Sequence, residues 1–244
     1  MNQAHKTVDV KKIQDYPTLR KLAATLWNQD NAFLGAAVMV GAGFSRSAAT
    51  SGDNSRKLPL WFEIVSVLAK ELGYEESSYN DPLRIAEEYD AYFGKQALSD
   101  FIRHTINDAS WQPGELHQQL LSLPWREVLT TNWDTLLERA SQDESLPLYN
   151  AVIKQEDLSS AHSPRIVKLH GTVNVTNELI FTQGDYRQYP KKYAAFVNFA
   201  RQVFIESELC LVGFSGDDPN FLQLSLIHIS EPTRQAESRM PSSA

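Results

Sequence analysis

The 244-residue sequence predicts an α/β fold, a Rossmann-like parallel sheet with helices on both faces and a helical insertion. Three observations carry the prediction. Residues 36–40 are an apolar, β-prone run that breaks at once into Gly41, Ala42 and Gly43, the pattern of a buried parallel strand turning sharply into a helix. Three later runs of the same kind, at 127–131, 165–169 and 209–214, each end in a polar or glycine-rich cluster. The stretches between them carry apolar residues at helical spacing.

Taken in order, residues 16–27 place Leu19, Leu22, Ala23 and Leu26 on one face of a helix, with Trp27 beside them. After the first strand and glycine turn comes a polar stretch, 46–57, rich in Ser, Thr and Gly. Pro59 suits the first turn of a helix running to about Leu72, and Gly73 suits its C′ position. Two helices are expected within 81–107, the second with Leu98, Phe101, Ile102 and Ile106 on one side. The region 74–123 therefore reads as a helical insertion between the first two core strands. His104 and His117 lie in it with no metal-ligand spacing, which assigns them surface or capping roles. The third strand is followed by a two-stranded excursion ending at 178–182, then a tyrosine-rich turn, TQGDYRQY, and a helix from Pro190 to about Ile205.

Composition narrows the function. A formal net charge of −7 argues against a direct nucleic-acid partner, or an anionic membrane, held by general electrostatics. Cys210 is the only cysteine, which rules out an internal disulfide and a cysteine-built zinc site. The amino-terminal residues lack a signal-peptide core and no apolar run is long enough to cross a bilayer, so a soluble, cytoplasmic protein is expected. Residues 224–234, LSLIHISEPTR, look like the translation of a sequencing-library adapter. On that reading residues 1–223 form one domain, 224–244 are a non-native tail, and the parent protein is longer.

The four strand ends carry GAGFS, TTNWD, KLHG and GFSGDD, in that order. Ligands of open α/β sheets sit outside such carboxyl ends, and a glycine turn before a helix lets backbone approach a phosphate. Many tight turns of this kind bind nothing, so the glycines alone leave the question open. As an ordered set, the four clusters resemble the sirtuin superfamily, and more closely the sirtuin-like NAD-binding domains of bacterial anti-phage defence proteins. The resemblance covers about 35–221. It implies an NAD site with Gly41, Ala42, Gly43, Phe44 and Ser45 around the diphosphate and adjoining ribose, and Asn132 and Asp134 near the nicotinamide ribose and carboxamide. It further implies His170 as the catalytic histidine, and Gly213, Phe214 and Ser215 on the adenosine side.

Residue chemistry agrees with those roles. Breaking the nicotinamide–ribose bond builds positive charge on the sugar, so the site needs a positioned nucleophile and a base that works near pH 7. His170 suits the base and Asn132 suits the orienting group, which makes these two the catalytic candidates. Other readings stay open: His170 as a buried histidine bonded to a carbonyl, Asn132 as a helix N-cap, and Asp134 as its local helper. Thr182, Asp185, Tyr186 and Tyr189 read either as a loop near the site or as a plain turn with packed tyrosines.

Two departures from the protein-deacylating sirtuins matter. Their four-cysteine zinc ribbon has no counterpart, and 46–57 lacks their G-I-P-D-F-R-like stretch. No zinc is expected, and with no acyl-lysine to attack the ribose, water becomes the acceptor. The resemblance thus implies NAD hydrolysis to nicotinamide and ADP-ribose by an effector domain, with a homo-oligomer or a defence-system partner engaged through regions outside this sequence. The alternatives are a non-catalytic sensor of NAD or an ADP-ribose derivative, and an NAD-dependent deacylase or ADP-ribosyltransferase.

Overall fold

A computed structural model describes residues 10–27, 35–50, 56–75, 81–176 and 178–214. The adapter-like stretch and the rest of the tail lie outside the described residues. The first strand, β1 (Ala36–Val40), is buried at every position and sits inside the sheet, as its continuous apolar run requires. It is flanked by β4 (Glu127–Thr130) and β7 (Glu208–Val212), while β6 (Arg165–Lys168) and β5 (Asn150–Val152) extend the sheet beyond β4. The order is β5-β6-β4-β1-β7, and every pairing is parallel. A separate two-residue pairing of β2 (Ala49–Thr50) with β3 (Trp111–Gln112) ties the segment after the glycine turn to the insertion.

Alternation along β1 divides the core. Ala36, Val38 and Val40 face α1 (Tyr16–Leu26), α6 (Glu115–Leu121) and α7 (Leu136–Ala140), in a cluster that includes Leu26, Leu121, Trp125 and Leu137. Ala37 and Met39 face the other way, against Tyr189 of α8 (Gln183–Lys192) and Phe196, Val197 and Ala200 of α9 (Ala194–Glu206). Helices therefore cover both faces, and each large apolar side chain buried there contributes about 1.5–3 kcal/mol. A third cluster joins the insertion to the helix before it. In it α3 (Trp61–Glu71), α4 (Pro82–Phe93) and α5 (Lys95–Ile106) pack together and meet Leu136, Val173 and Phe181.

Local chemistry explains the helix ends. Gly73 takes φ +83 just past α3, and the Asp81 carboxylate accepts the Leu83 and Arg84 N–H groups at the start of α4. At the amino-terminal ends of β4 and β6, fully buried Glu127 pairs with Arg165, with Nη2 and Oε1 2.6 Å apart.

Three expectations are corrected. No strand forms at 178–182. That segment is irregular, and its Ile180 N–H donates to the His170 carbonyl at 3.2 Å. TQGDYRQY is not a turn but the start of α8: the Thr182 hydroxyl accepts the Asp185 N–H while the Asp185 carboxylate accepts the Thr182 N–H. The helix expected from Pro190 is two helices, with Pro190 in the last turn of α8 and a break at Tyr193 before α9. Among the described residues, no helix is long and apolar enough to cross a membrane.

Candidate active site

The carboxyl ends of β1, β4, β6 and β7 bring the sequence clusters to one end of the sheet. After β1 the chain turns into α2 (Ala42–Ser45), a single helical turn pressed against the exit of β7. The Gly41 N–H donates to the Val212 carbonyl at 2.8 Å and the Gly43 N–H to the Gly213 carbonyl at 2.9 Å. A Cβ on either glycine would lie 2.7 or 2.8 Å from the Gly213 oxygen, so glycine is what allows the two segments to meet. Gly213 and Phe214 thus back the turn directly, whereas Ser215 lies outside the described residues.

Ser45 occupies the centre of the polar group. Its hydroxyl donates to Asp134 Oδ2 at 2.7 Å and accepts from Asn132 Nδ2 at 2.9 Å. Asp134 Oδ1 in turn accepts the Leu136 N–H at 3.1 Å, which starts α7. Thr130, the last residue of β4, donates from its hydroxyl to the Val40 carbonyl at 2.9 Å and accepts the Asn132 N–H at 3.1 Å. Asn132 and Asp134 are buried, at 8% and 7% exposure, so each of these bonds is made in a poorly solvated place and fixes orientation strongly.

The group borders a cleft lined by Ala42, Ser45, Trp61, Asn132, Trp133, Asp134 and Tyr186, among others. Trp61 stands edge-on to Trp133 at 5.7 Å and to Phe181 at 4.2 Å between ring centroids, which gives the cleft an aromatic wall. Phe44 faces away from the cleft, its ring 4.8 Å from that of His117.

His170 follows β6 by one residue beyond Leu169, and Gly171, at φ +86, turns the chain immediately after it. The imidazole is 2% exposed and does not line the cleft that holds Asn132. Tyr186 stands between, edge-on to the imidazole at 5.4 Å, while Tyr189 flanks it at 5.1 Å and donates from its hydroxyl to the Leu169 carbonyl at 2.7 Å. On its other side the imidazole borders a second cavity with Gly171, Glu178, Tyr193 and Phe196. Burial pushes its pKa down to about 3, opposed by the nearby Asp185 charge, so the ring is neutral at pH 7.

The structure therefore brings Ala42, Ser45, Asn132 and Asp134 onto one cleft, places Gly41, Gly43, Gly213 and Phe214 behind the turn, turns Phe44 toward His117, and sets His170 behind Tyr186. The tyrosines that the sequence left as loop or turn residues lie on α8 instead: Tyr186 lines the cleft, and Tyr189 packs against the imidazole. His104 is exposed, as a surface role requires, but His117 is fully buried. It still caps, its Nδ1 accepting the Gly114 N–H at 3.2 Å. Sequence reasoning missed the wall formed by Trp61 and Trp133 with Phe181 behind them, and it missed Lys168. The available signal for Lys168 was a lone cation between Val167 and Leu169 in a buried strand. Among the described residues, no group of three or more His, Cys, Asp or Glu is placed to hold a metal ion.

Residues 126–237 match the family model of the SIR2-like domain. The chain is 27% identical over 206 residues to the NAD(+) hydrolase ThsA of Acinetobacter baumannii, covering 82% of this chain and 41% of that protein. It is 27% identical over 190 residues to the NAD(+) hydrolase ThsA of Bacillus cereus, covering 76% and 38%. A Bacillus subtilis protein, defense-associated sirtuin 2, is 24% identical over 178 residues, covering 68% of this chain and 17% of its own length. The chain thus spans about two fifths of the length of the NAD(+) hydrolases it matches.

Proposed function

We propose that this chain, which carries a SIR2-like domain, is the NAD-cleaving unit of a bacterial anti-phage defence protein and splits NAD into nicotinamide and ADP-ribose in the cytoplasm. One observation supports this above the others. The Asn132 amide is held by the Ser45 hydroxyl at 2.9 Å on the wall of a cleft at the carboxyl ends of the strands. The names of the relatives point to the same chemistry.

In this reading the turn at 41–45, backed by Gly213 and Phe214, holds the adenosine diphosphate half of NAD. Binding energy gathered there fixes the reacting end. The aromatic wall of Trp61 and Trp133, backed by Phe181, suits a flat ring such as nicotinamide. As the bond between nicotinamide and ribose breaks, its electron pair leaves with nicotinamide and positive charge develops on the sugar. Water oriented by the Asn132 amide forms the new carbon–oxygen bond, and its proton passes to the neutral imidazole of His170 and then to solvent. The reaction takes in one water and gives nicotinamide, ADP-ribose and a proton. Displacement of the Tyr186 ring is required for the imidazole to reach that water.

The experiment is to incubate the purified chain with NAD and identify the products. Equal amounts of nicotinamide and ADP-ribose, with no need for an acyl-lysine peptide, are expected. A second reading, a sensor that binds NAD or an ADP-ribose derivative without turnover, is favoured by one observation, the Tyr186 ring that walls His170 off from the cleft. Binding with no product would select it. A homo-oligomer or a defence-system partner would act on the same cleft through regions beyond this sequence.

A further inference from the structure

Lys168 is the last residue of β6, two before His170, and its side chain is 1% exposed. A buried ammonium needs partners. Lys168 Nζ donates to the backbone carbonyl of Asp134, and Glu138 Oε1 of α7 lies 3.3 Å away. The two contacts differ in kind. Neither carboxylate oxygen of Glu138 makes a well-aligned hydrogen bond among the described residues; burial raises its pKa and the Lys168 ammonium opposes that, so Glu138 balances the charge while the directed bond goes to Asp134. The strand that carries His170 therefore reaches across to the loop that carries Asn132 and Asp134. It grips that loop at the peptide between the Asp134 carboxylate, bonded to Ser45 and the Leu136 N–H, and the Thr135 N–H, bonded to Asp108 at 2.8 Å.

A purely structural account explains this poorly. Buried ion pairs are commonly replaced by apolar side chains of similar volume with no loss of stability. An apolar residue at 168 would fill the same space between Val167 and Leu169 but would leave the Asp134 carbonyl without its donor.

We infer that Lys168 is a positioning residue: its bond to the Asp134 carbonyl sets the loop at 131–135 so that the Asn132 amide meets the ribose in register with His170. The inference rests on the NAD-cleaving reading, and its test separates the two. Wild-type protein is compared with Lys168→Met, Glu138→Gln and the double variant in three measurements: nicotinamide release from NAD, melting temperature, and amide hydrogen exchange. Lys168→Met alone strands the Glu138 charge and lowers the melting temperature, and the double variant recovers it. The double variant's kcat stays at least about tenfold below wild type, with KM for NAD little changed. Glu138→Gln, which keeps the bond to Asp134, holds kcat close to wild type whatever it does to melting. In the double variant the Asn132, Leu136 and Val173 amides, which anchor the loop, lose protection by about tenfold or more, while that of Val38 in β1 does not.

A double variant whose kcat returns with its melting temperature overturns the inference, as does Glu138→Gln falling as far as Lys168→Met. Wild-type protein that releases no nicotinamide defeats the hydrolase reading instead. The exchange measurement then decides the positioning role by itself, and unchanged protection at Asn132 and Leu136 overturns it.

Discussion

The ring of Tyr186 stands edge-on to the imidazole of His170, 5.4 Å between centroids, and the same tyrosine lines the cleft occupied by Asn132. This side chain shields the imidazole on the side of the cleft, and Tyr189 flanks it as well. In the Tyr186→Ala variant water reaches the ring, and the His170 pKa, followed by NMR, climbs from about 3 toward its ordinary value. The variant also loses about 3 kcal/mol of stability from the cavity. A pKa that stays near 3 would show that other groups dry the ring.

Ser45 holds both Asn132 and Asp134, so its hydroxyl matters more for orientation than for mass. Ser45→Ala leaves two buried polar groups short of a partner and costs about 1–3 kcal/mol. Its kcat for NAD cleavage falls by about 10–100-fold, with the loss in kcat exceeding any change in KM. Steady-state kinetics checks this, and a change in KM alone would make Ser45 a simple binding contact.

The buried neutral state of His170 gives stability a defined pH dependence. The unfolded histidine titrates near its ordinary value and the folded one at about 3, so between those values only the unfolded chain takes up the proton. The contribution is therefore complete above the ordinary value and is lost as pH falls toward 3, by roughly 4–5 kcal/mol in all. Denaturant titrations from pH 7 to pH 4 should show this slope in the wild type and lack it in His170→Gln. Parallel slopes would place the histidine in water.

Glu127 and Arg165 stand at the opposite end of the strands from the cleft, with Glu127 fully buried. Glu127→Ala strands the guanidinium and costs about 3–5 kcal/mol. The rate of NAD cleavage per folded molecule is unchanged. Melting curves measured beside activity check this, and a large loss of kcat in fully folded protein would show that the two ends of the sheet are coupled.

Much of the fold is legible in the sequence because β1, β4, β6 and β7 are apolar runs that end in clusters no helix or strand would continue. Strand β5 is not legible: Asn150, Ala151 and Val152 make a three-residue edge strand with only Val152 buried, too short for periodicity to register. Helix α8 is hidden for a different reason. Its Gly184 and Asp185 read as a turn and its Pro190 as the start of the next helix, whereas its helicity comes from the reciprocal Thr182 and Asp185 cap and from burial of Tyr186 and Tyr189, which are tertiary facts. The site divides the same way. Glycines and polar residues at strand ends announce themselves, whereas the charge partner of Lys168 and the tyrosine in front of His170 depend on which helices return to the sheet.

The central claim is that the His170 imidazole takes the proton as NAD is cleaved at the cleft holding Asn132. Its most direct test is nicotinamide release by the chain and by its His170→Ala variant, at equal folded concentration. A fall of about 10²–10⁴-fold in the variant is expected; release at the same rate would contradict the claim.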